Sequence, residues 1–138
     1  EDHMSAMQRR KGQSGERELA ALLHEHTGWD VRRRVRQHEG DSDIEGVPGW
    51  CVECKRAAAP SMAAWWRQTV EQAQRENLWP VLFYRIDRQA WRACWPLMAV
   101  RSDGNPPEFG WEIQPEFTVL SSIEGWALVA REMRPANE

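Results

Sequence analysis

The chain has 138 residues, 41% of them hydrophobic, and a formal net charge of -3. We expect one compact domain over residues 4–138, because a chain of this size can enclose a single sheet with helices against it. The charge argues against a uniformly basic nucleic-acid binder. No apolar run approaches the length of a membrane span and no secretion signal is recognisable, so a cytoplasmic location is expected.

Two further features concern the first third of the chain. The opening residues, 1–3, resemble a remnant of a cloning vector ahead of Met4. Between Arg9 and Arg36 there are eight basic and four acidic residues, and 8 minus 4 leaves +4. This part of the chain could face a polyanion, although a solvated charged surface is an equally simple interpretation.

The first helix is predicted from Ser14 to Thr27, with Ser14 as a possible N-cap. Leucines at 19, 22 and 23 have the spacing of one helix face. Glu16 precedes them by a turn on the same face, where a surface acid would not normally point. The stretch WDVRRRVRQ, 29–37, alternates as a strand; its apolar face is interrupted by Arg33, and its other face is basic.

A β-hairpin is predicted next. It consists of a short strand from Asp43 to Gly46, a type II turn over Val47–Trp50 with Pro48 and Gly49 at its centre, and a strand from Trp50 to Lys55. The second helix is predicted over 62–78, and two strands, 81–87 and 89–97, follow as another hairpin. After a loop over 101–110, Ser121 and Glu124 form a capping-box signature for a last helix ending near Met133.

The order α-β-β-β-α-β-β-α predicts an α/β fold with a mixed sheet and helices on its faces. Alternation along the strand from Trp50 places Cys51, Glu53 and Lys55 on one face. Asp43 and Glu45 share a face of the opposing hairpin strand. If the first helix packs over the same face, Glu16 joins them.

Carboxylates crowded together repel each other unless a cation is supplied. A hard divalent ion such as Mg²⁺ is stabilised by a few carboxylate oxygens and leaves room for a phosphate. Lys55 could orient the attacking water and help neutralise the charge that develops on the phosphate. The alternative is that Glu53 and Lys55 form an ordinary surface salt bridge.

Asp43, nine intervening residues and then Glu53-Cys54-Lys55 resemble the core motif of the PD-(D/E)XK nucleases, which have a restriction-endonuclease-like fold. The stretch RRKGQSGERELAALL, 9–23, is similar to the opening of archaeal-type and phage Holliday junction resolvases. Glu71–Ala73 and the strand 81–86 also lie where that family has such elements. The resemblance covers about residues 9–97, which leaves 98–138 as a C-terminal extension.

The resemblance implies a role for each matching residue. Asp43 and Glu53 would bind the metal with the Cys54 carbonyl as a third ligand, Lys55 would be the catalytic lysine, and Glu16 would bind the metal directly or through water. Ser42 stands where the family motif has proline, so Asp41 competes with Asp43 as the ligand. The DNA contacts expected are Arg10, Lys11, Arg32, Arg34 and Arg36. Gln68 and Gln72 could lie near the site or on a solvated helix face.

The resemblance therefore implies a Mg²⁺-dependent DNA endonuclease, with Mn²⁺ as a substitute, that acts as a homodimeric Holliday junction resolvase in a bacterial, archaeal or phage-infected cell. A nuclease of the same fold acting on flaps or duplex DNA is the nearest alternative. A DNA-binding module without turnover is the alternative from another class. The Cys51-x-x-Cys54 spacing is a weak zinc signal, because the two side chains of one strand would point to opposite faces. Trp65 and Trp66 suggest a contact with a partner subunit.

Overall fold

A computed structural model describes residues 6–34 and 44–133. In chain order its elements are α1 (Ala6–Thr27), β1 (Arg32–Arg33), β2 (Ile44–Glu45), β3 (Trp50–Ala57), α2 (Met62–Glu76), β4 (Trp79–Ile86), β5 (Arg92–Pro96), β6 (Thr118–Ser121) and α3 (Ile123–Glu132). Three 3₁₀ turns, Leu97–Arg101, Trp111–Ile113 and Pro115–Phe117, lie between β5 and β6.

The strands of the described residues form one sheet in the order β1-β2-β3-β4-β5-β6. All neighbouring pairs are antiparallel except β3 and β4, which run parallel. A parallel pair needs a crossover, and α2 supplies it. The mixed sheet with helices confirms the α/β architecture that the element order predicts.

Both faces of the centre of the sheet are covered. In β4, Val81 and Phe83 point to the face covered by α1 and α3, whereas Leu82 and Tyr84 point to the face covered by α2. All four side chains are buried, which explains why the strand is a continuous apolar run instead of an alternating one.

The predicted turn between β2 and β3 is confirmed. Trp50 N donates to Val47 O at 3.2 Å, and Gly49 has a φ of 85°, which a type II turn requires at its third position. The two strands are antiparallel, with Ile44 paired with Val52. The β4–β5 hairpin is also confirmed, and Arg88 in its turn has a φ of 66°.

The predicted start of the first helix was wrong. The helix begins at Ala6, and Ser14 is an exposed residue inside it, not its N-cap. The apolar spacing marks only the part of a helix that packs on the core, and no residue from 6 to 14 is buried. An exposed run of good helix formers leaves no such pattern.

Three other boundaries differ from the prediction. In the described residues β1 is only Arg32–Arg33. The edge strand β6 was not predicted, since a strand of four residues, three half-buried and one exposed, carries little periodicity. The cap of α3 is Ser122, whose Oγ accepts from Gly125 N at 3.0 Å, whereas Ser121 Oγ accepts from Trp95 Nε1.

The tryptophans are mostly part of the core. Trp126 of α3 is fully buried and meets Trp50 and Phe83 edge to face, with ring centroids 5.6 and 4.9 Å away. Trp66 of α2 is buried against the sheet, and Trp65 of the same helix packs against Tyr84. Both therefore have partners within the chain. No helix in the described part of the chain has the length and apolar character needed to cross a membrane.

Glycine substitutions at two left-handed positions should differ in their effect. Gly46 has a φ of 95°, and a Cβ there would lie 2.2 Å from Asp30 O, while a Cβ at Gly28, φ 78°, would meet nothing within 4 Å. We expect Gly28→Ala to destabilise the fold by about 1 kcal/mol and Gly46→Ala by roughly 3 kcal/mol. Chemical denaturation measures both. Equal losses would contradict the close approach at Gly46.

The three thiols should differ in reactivity. Burial raises the pKa of Cys51 and Cys94, the latter to about 11, whereas Cys54 is only partly buried. The thiolate is the reactive form, and at pH 8 its fraction at Cys94 is on the order of 0.001. Ellman's reagent should therefore titrate one thiol quickly in the folded protein and the other two on unfolding. Cys54→Ser should remove the fast phase; its persistence would contradict the assignment.

Candidate active site

An open cavity of about 790 Å³ lies where α1, β1 and the second half of β3 meet. Its walls carry polar and charged side chains from four elements. They are Gln8, Arg9, Gly12, Gln13 and Glu16 of α1, Arg33 of β1, Arg34 just after β1, Glu53, Cys54, Lys55 and Arg56 of β3, and Gln68 of α2. The cavity thus brings together the predicted residues Glu16, Glu53 and Lys55.

These residues do not come from one face of the sheet. Glu53 pairs with Leu82 in register, so it lies on the face covered by α2. Leu19 and Leu23 of α1 pack with Val52 on the opposite face. The condition that α1 packs over the Glu53 face is therefore not met, although Glu16 and Glu53 still line the same cavity. The cavity lies at the edge of β3, beyond the Ile44–Val52 pair of the described residues, and an edge can be reached from both faces.

Glu53 is a buried acid. Only 7% of its surface is exposed. A carboxylate at this depth needs compensating charge or hydrogen bonds, because desolvation disfavours its ionised form. The surroundings carry both signs of charge: after the dominant effect of burial, Glu76 and Glu53 raise the pKa of Cys51, and Arg34 and Arg75 act in the opposite direction.

The two glutamines of α2 have different roles. Gln68 lines the cavity. Gln72 is 5% exposed, donates through Nε2 to Glu76 Oε2 at 2.7 Å and accepts from Arg75 Nη2 at 2.8 Å. A solvated helix face is therefore excluded for Gln72, whose side chain holds the charged groups of α2 in place.

Glu16 is held by an arginine that sequence reasoning left out of the site. Arg33 Nε donates to Glu16 Oε1 at 2.8 Å, and the Glu16 side chain is 15% exposed. Arg33 pairs with Ile44, which pairs with Val52, so it lies on the α1 face. The signal was visible in the sequence: Arg33 is the charged residue on the otherwise apolar face of its strand.

Lys55 lies two residues beyond Glu53 and lines the same cavity, half-buried. A salt bridge on an exposed sheet face does not describe this pair, because Glu53 is only 7% exposed. An ammonium group beside a buried acid in an open cavity is placed to contact an anionic ligand.

The predicted DNA contacts are spread over different surroundings. Arg34 lines the cavity and donates through Nε to Glu45 at 3.1 Å. Lys11 is paired with Asp87, and Arg32 with Asp30. Arg10 is exposed on α1 and does not line the cavity, whereas its neighbour Arg9 does. Arg36 lies outside the described residues.

The predicted metal ligand Asp43 and its competitor Asp41 also lie outside the described residues. Among those described, no three His, Cys, Asp or Glu side chains cluster in the way a metal ion requires. The donor chemistry of the cavity nevertheless fits a hard divalent cation, because Glu16 and Glu53 both line it and carboxylate oxygens are the ligands that Mg²⁺ prefers.

No curated protein matches this chain. Three chains of solved structures match, among them Hjc of Archaeoglobus fulgidus, a Holliday junction resolvase, with 24% identity over 60% of this chain and 70% of that one, at a TM-score of 0.46. This similarity is too low to support a functional inference.

A family model described as "Phage putative PDDEXK endonuclease" matches residues 7–107, which is more than half of the chain. The match contains every described residue of the cavity. It confirms the predicted PD-(D/E)XK membership and, with the observed sheet, the predicted restriction-endonuclease-like fold class. The chain therefore belongs to this PDDEXK endonuclease family.

Proposed function

We propose that the chain is a divalent-metal-dependent DNA endonuclease that acts on four-way or otherwise branched DNA as a homodimer. The observation that supports this proposal best is the joint placement of Glu53, Lys55 and Glu16 around one open cavity. PD-(D/E)XK nucleases generally use divalent metals, and we propose Mg²⁺, with Mn²⁺ as a substitute. The choice of substrate rests on the sequence of residues 9–23, which is similar to the opening of Holliday junction resolvases.

Glu53 and Asp43 are the proposed metal ligands, with the Cys54 carbonyl. Asp43 directly precedes Ile44, which pairs with Val52 next to Glu53. A bound divalent ion would polarise the phosphoryl oxygen and lower the pKa of a water.

The protein side chains supply the remaining steps. Lys55 orients the attacking water and donates to a phosphate oxygen as negative charge develops there. Arg9 of α1 and Arg34, the residue after β1, both line the cavity and contact the flanking backbone phosphates. Glu16, whose Oε1 accepts from Arg33, would hold the metal directly or through water.

Arg33 contacts the substrate phosphate in this proposal. Its Nε donates to Glu16, and a guanidinium has further N–H donors that fit a phosphate. The ion pair with Glu16 fixes the direction of these donors before the substrate arrives, so little ordering remains to be done on binding.

The proposal predicts symmetric nicks in a synthetic four-way junction with Mg²⁺ or Mn²⁺. Glu53→Gln should lower cleavage by roughly a hundredfold or more while binding persists, because it removes a metal ligand and leaves the basic walls intact. Glu124→Gln, an exposed acid on α3, is the control and should cut at the wild-type rate. Gel assays on junction, flap and linear duplex, with light scattering for the dimer mass, measure these outcomes.

Each outcome of that assay has a definite meaning. Binding without cutting under every divalent metal would refute the endonuclease proposal. Equal cutting of linear duplex would refute the preference for branched DNA and leave the nuclease proposal intact. A monomer mass on the bound junction would refute the dimer.

Adjacent arginines of β1 provide a matched pair. Arg33 lies in the cavity with Glu16, whereas Arg32 is exposed and paired with Asp30 outside the cavity lining. We expect Arg33→Gln to lower cleavage about tenfold and Arg32→Gln to change it less than about twofold, since only the first loses a phosphate contact. Initial rates under limiting DNA measure both. A larger effect at Arg32 would place the DNA on the other side of β1.

A further inference from the structure

The first turns of α1 form part of the cavity without being part of the core. None of the residues from 6 to 14 is buried, and the buried positions of α1 begin at Gly15. Yet Gln8, Arg9, Gly12 and Gln13 all line the cavity. Helix ends fray unless something holds them, so polar contacts must hold this part of the wall.

Asp87, in the turn after β4, makes such a contact. Lys11 Nζ lies 2.7 Å from Asp87 Oδ1 and 2.9 Å from Oδ2, and Arg56 Nη2 lies 3.6 Å from Oδ1. The backbone of Asp87 is itself held, because its N–H donates to Ala57 O at 3.0 Å. One carboxylate thus joins the exposed half of α1 to the ends of β3 and β4.

The side chain of Arg56 completes the connection. A Cβ at Gly15 would lie 2.5 Å from Arg56 Cγ, so the arginine stem crosses α1 at a residue without a side chain. Lys11 and Gly15 are one turn apart and share a helix face. This helix face contacts both Arg56 and Asp87, and these contacts hold the first turns of α1 at their position over β3.

We propose that Asp87 is a positioning residue of the nuclease, which holds the first turns of α1, and with them Gln8, Arg9 and Gln13, in place against the DNA. The inference rests on the proposed function, since DNA is the ligand that these side chains would meet. Asp87 is not in the cavity lining, so it acts through Lys11 and Arg56.

Glu18 provides a comparison within the same helix. It accepts from Arg85 Nη1 at 2.8 Å and from Trp91 Nε1, and therefore also ties α1 to the sheet. Its neighbour Leu19 is fully buried, so the core already fixes this turn. Losing the Glu18 contacts should leave the first turns of α1 where they are.

The experiment compares Asp87→Asn and Lys11→Met, singly and together, with Glu18→Gln as the control. We expect each of the first two to raise KM for a four-way junction roughly fivefold with kcat changed less than about twofold, as for the loss of one partly exposed ion pair. The double variant should be no worse than Asp87→Asn alone, because Asp87→Asn already removes the contact with Lys11. Asp87→Glu, which keeps the charge, should recover part of the loss.

Hydrogen exchange separates positioning from general stability. In Asp87→Asn the amides of residues 8–14 should exchange at least about threefold faster, whereas those of 19–23 and the unfolding midpoint stay close to wild type. Glu18→Gln should show no such local change. A uniform rise in exchange, or a loss of kcat with KM unchanged, would refute the proposal.

The two proposals can fail separately. If the wild type cuts no DNA, the proposed function fails, and exchange of residues 8–14 together with DNA affinity in the Asp87→Asn variant still decides the positioning role. If the wild type cuts and Asp87→Asn matches it in KM and in exchange, only the positioning role fails.

Discussion

The parallel pairing of β3 with β4 is the contact on which the site depends. Eight residues of β3, Trp50 to Ala57, pair in register with Trp79 to Ile86. This register sets Val52 into the core under α1 and Glu53 onto the α2 face. A slip by one residue would exchange these two, so that an acid would enter the apolar core. The burial of Val52 and Val81 therefore determines which face of the sheet the Glu53 side chain points to.

A buried acid costs stability, and the surroundings show how the fold accommodates it. Glu53 and Glu76 lie close enough to Cys51 to influence its thiol, and Arg34, just after β1, and Arg75 of α2 bring positive charge to the same place. Such an arrangement is less stable than an apolar one of the same shape. The presence of this charged cluster beside an open cavity is expected for a reactive site and not for a packing contact.

Several features were predictable because they follow from local rules. The Pro48-Gly49 turn, the two hairpins and the position of Glu53 and Lys55 on one face depend on alternation and turn chemistry. The side of the sheet taken by α1 was not predictable, since an amphipathic helix can pack on either face. The role of Arg33 was missed for a related reason: its partner Glu16 is seventeen positions away, and only the tertiary fold brings them together.

The polar contacts of α1 were invisible to pattern reasoning as well. Lys11 reads as one more member of a basic run, and nothing local connects it with Asp87, which is 76 positions later. Charge counts along a chain describe which sign a surface has. They do not separate residues that will meet a ligand from residues already neutralised inside the fold.

Trp126 belongs to the core of the domain although it lies after the residues that the family model matches. The family match stops at residue 107, and all the described residues of the cavity lie before that point. Yet α3, which comes after it, brings a fully buried indole against Trp50 at the start of β3. A fragment trimmed at the family boundary would keep every reactive group and lose the cover of its own aromatic interior.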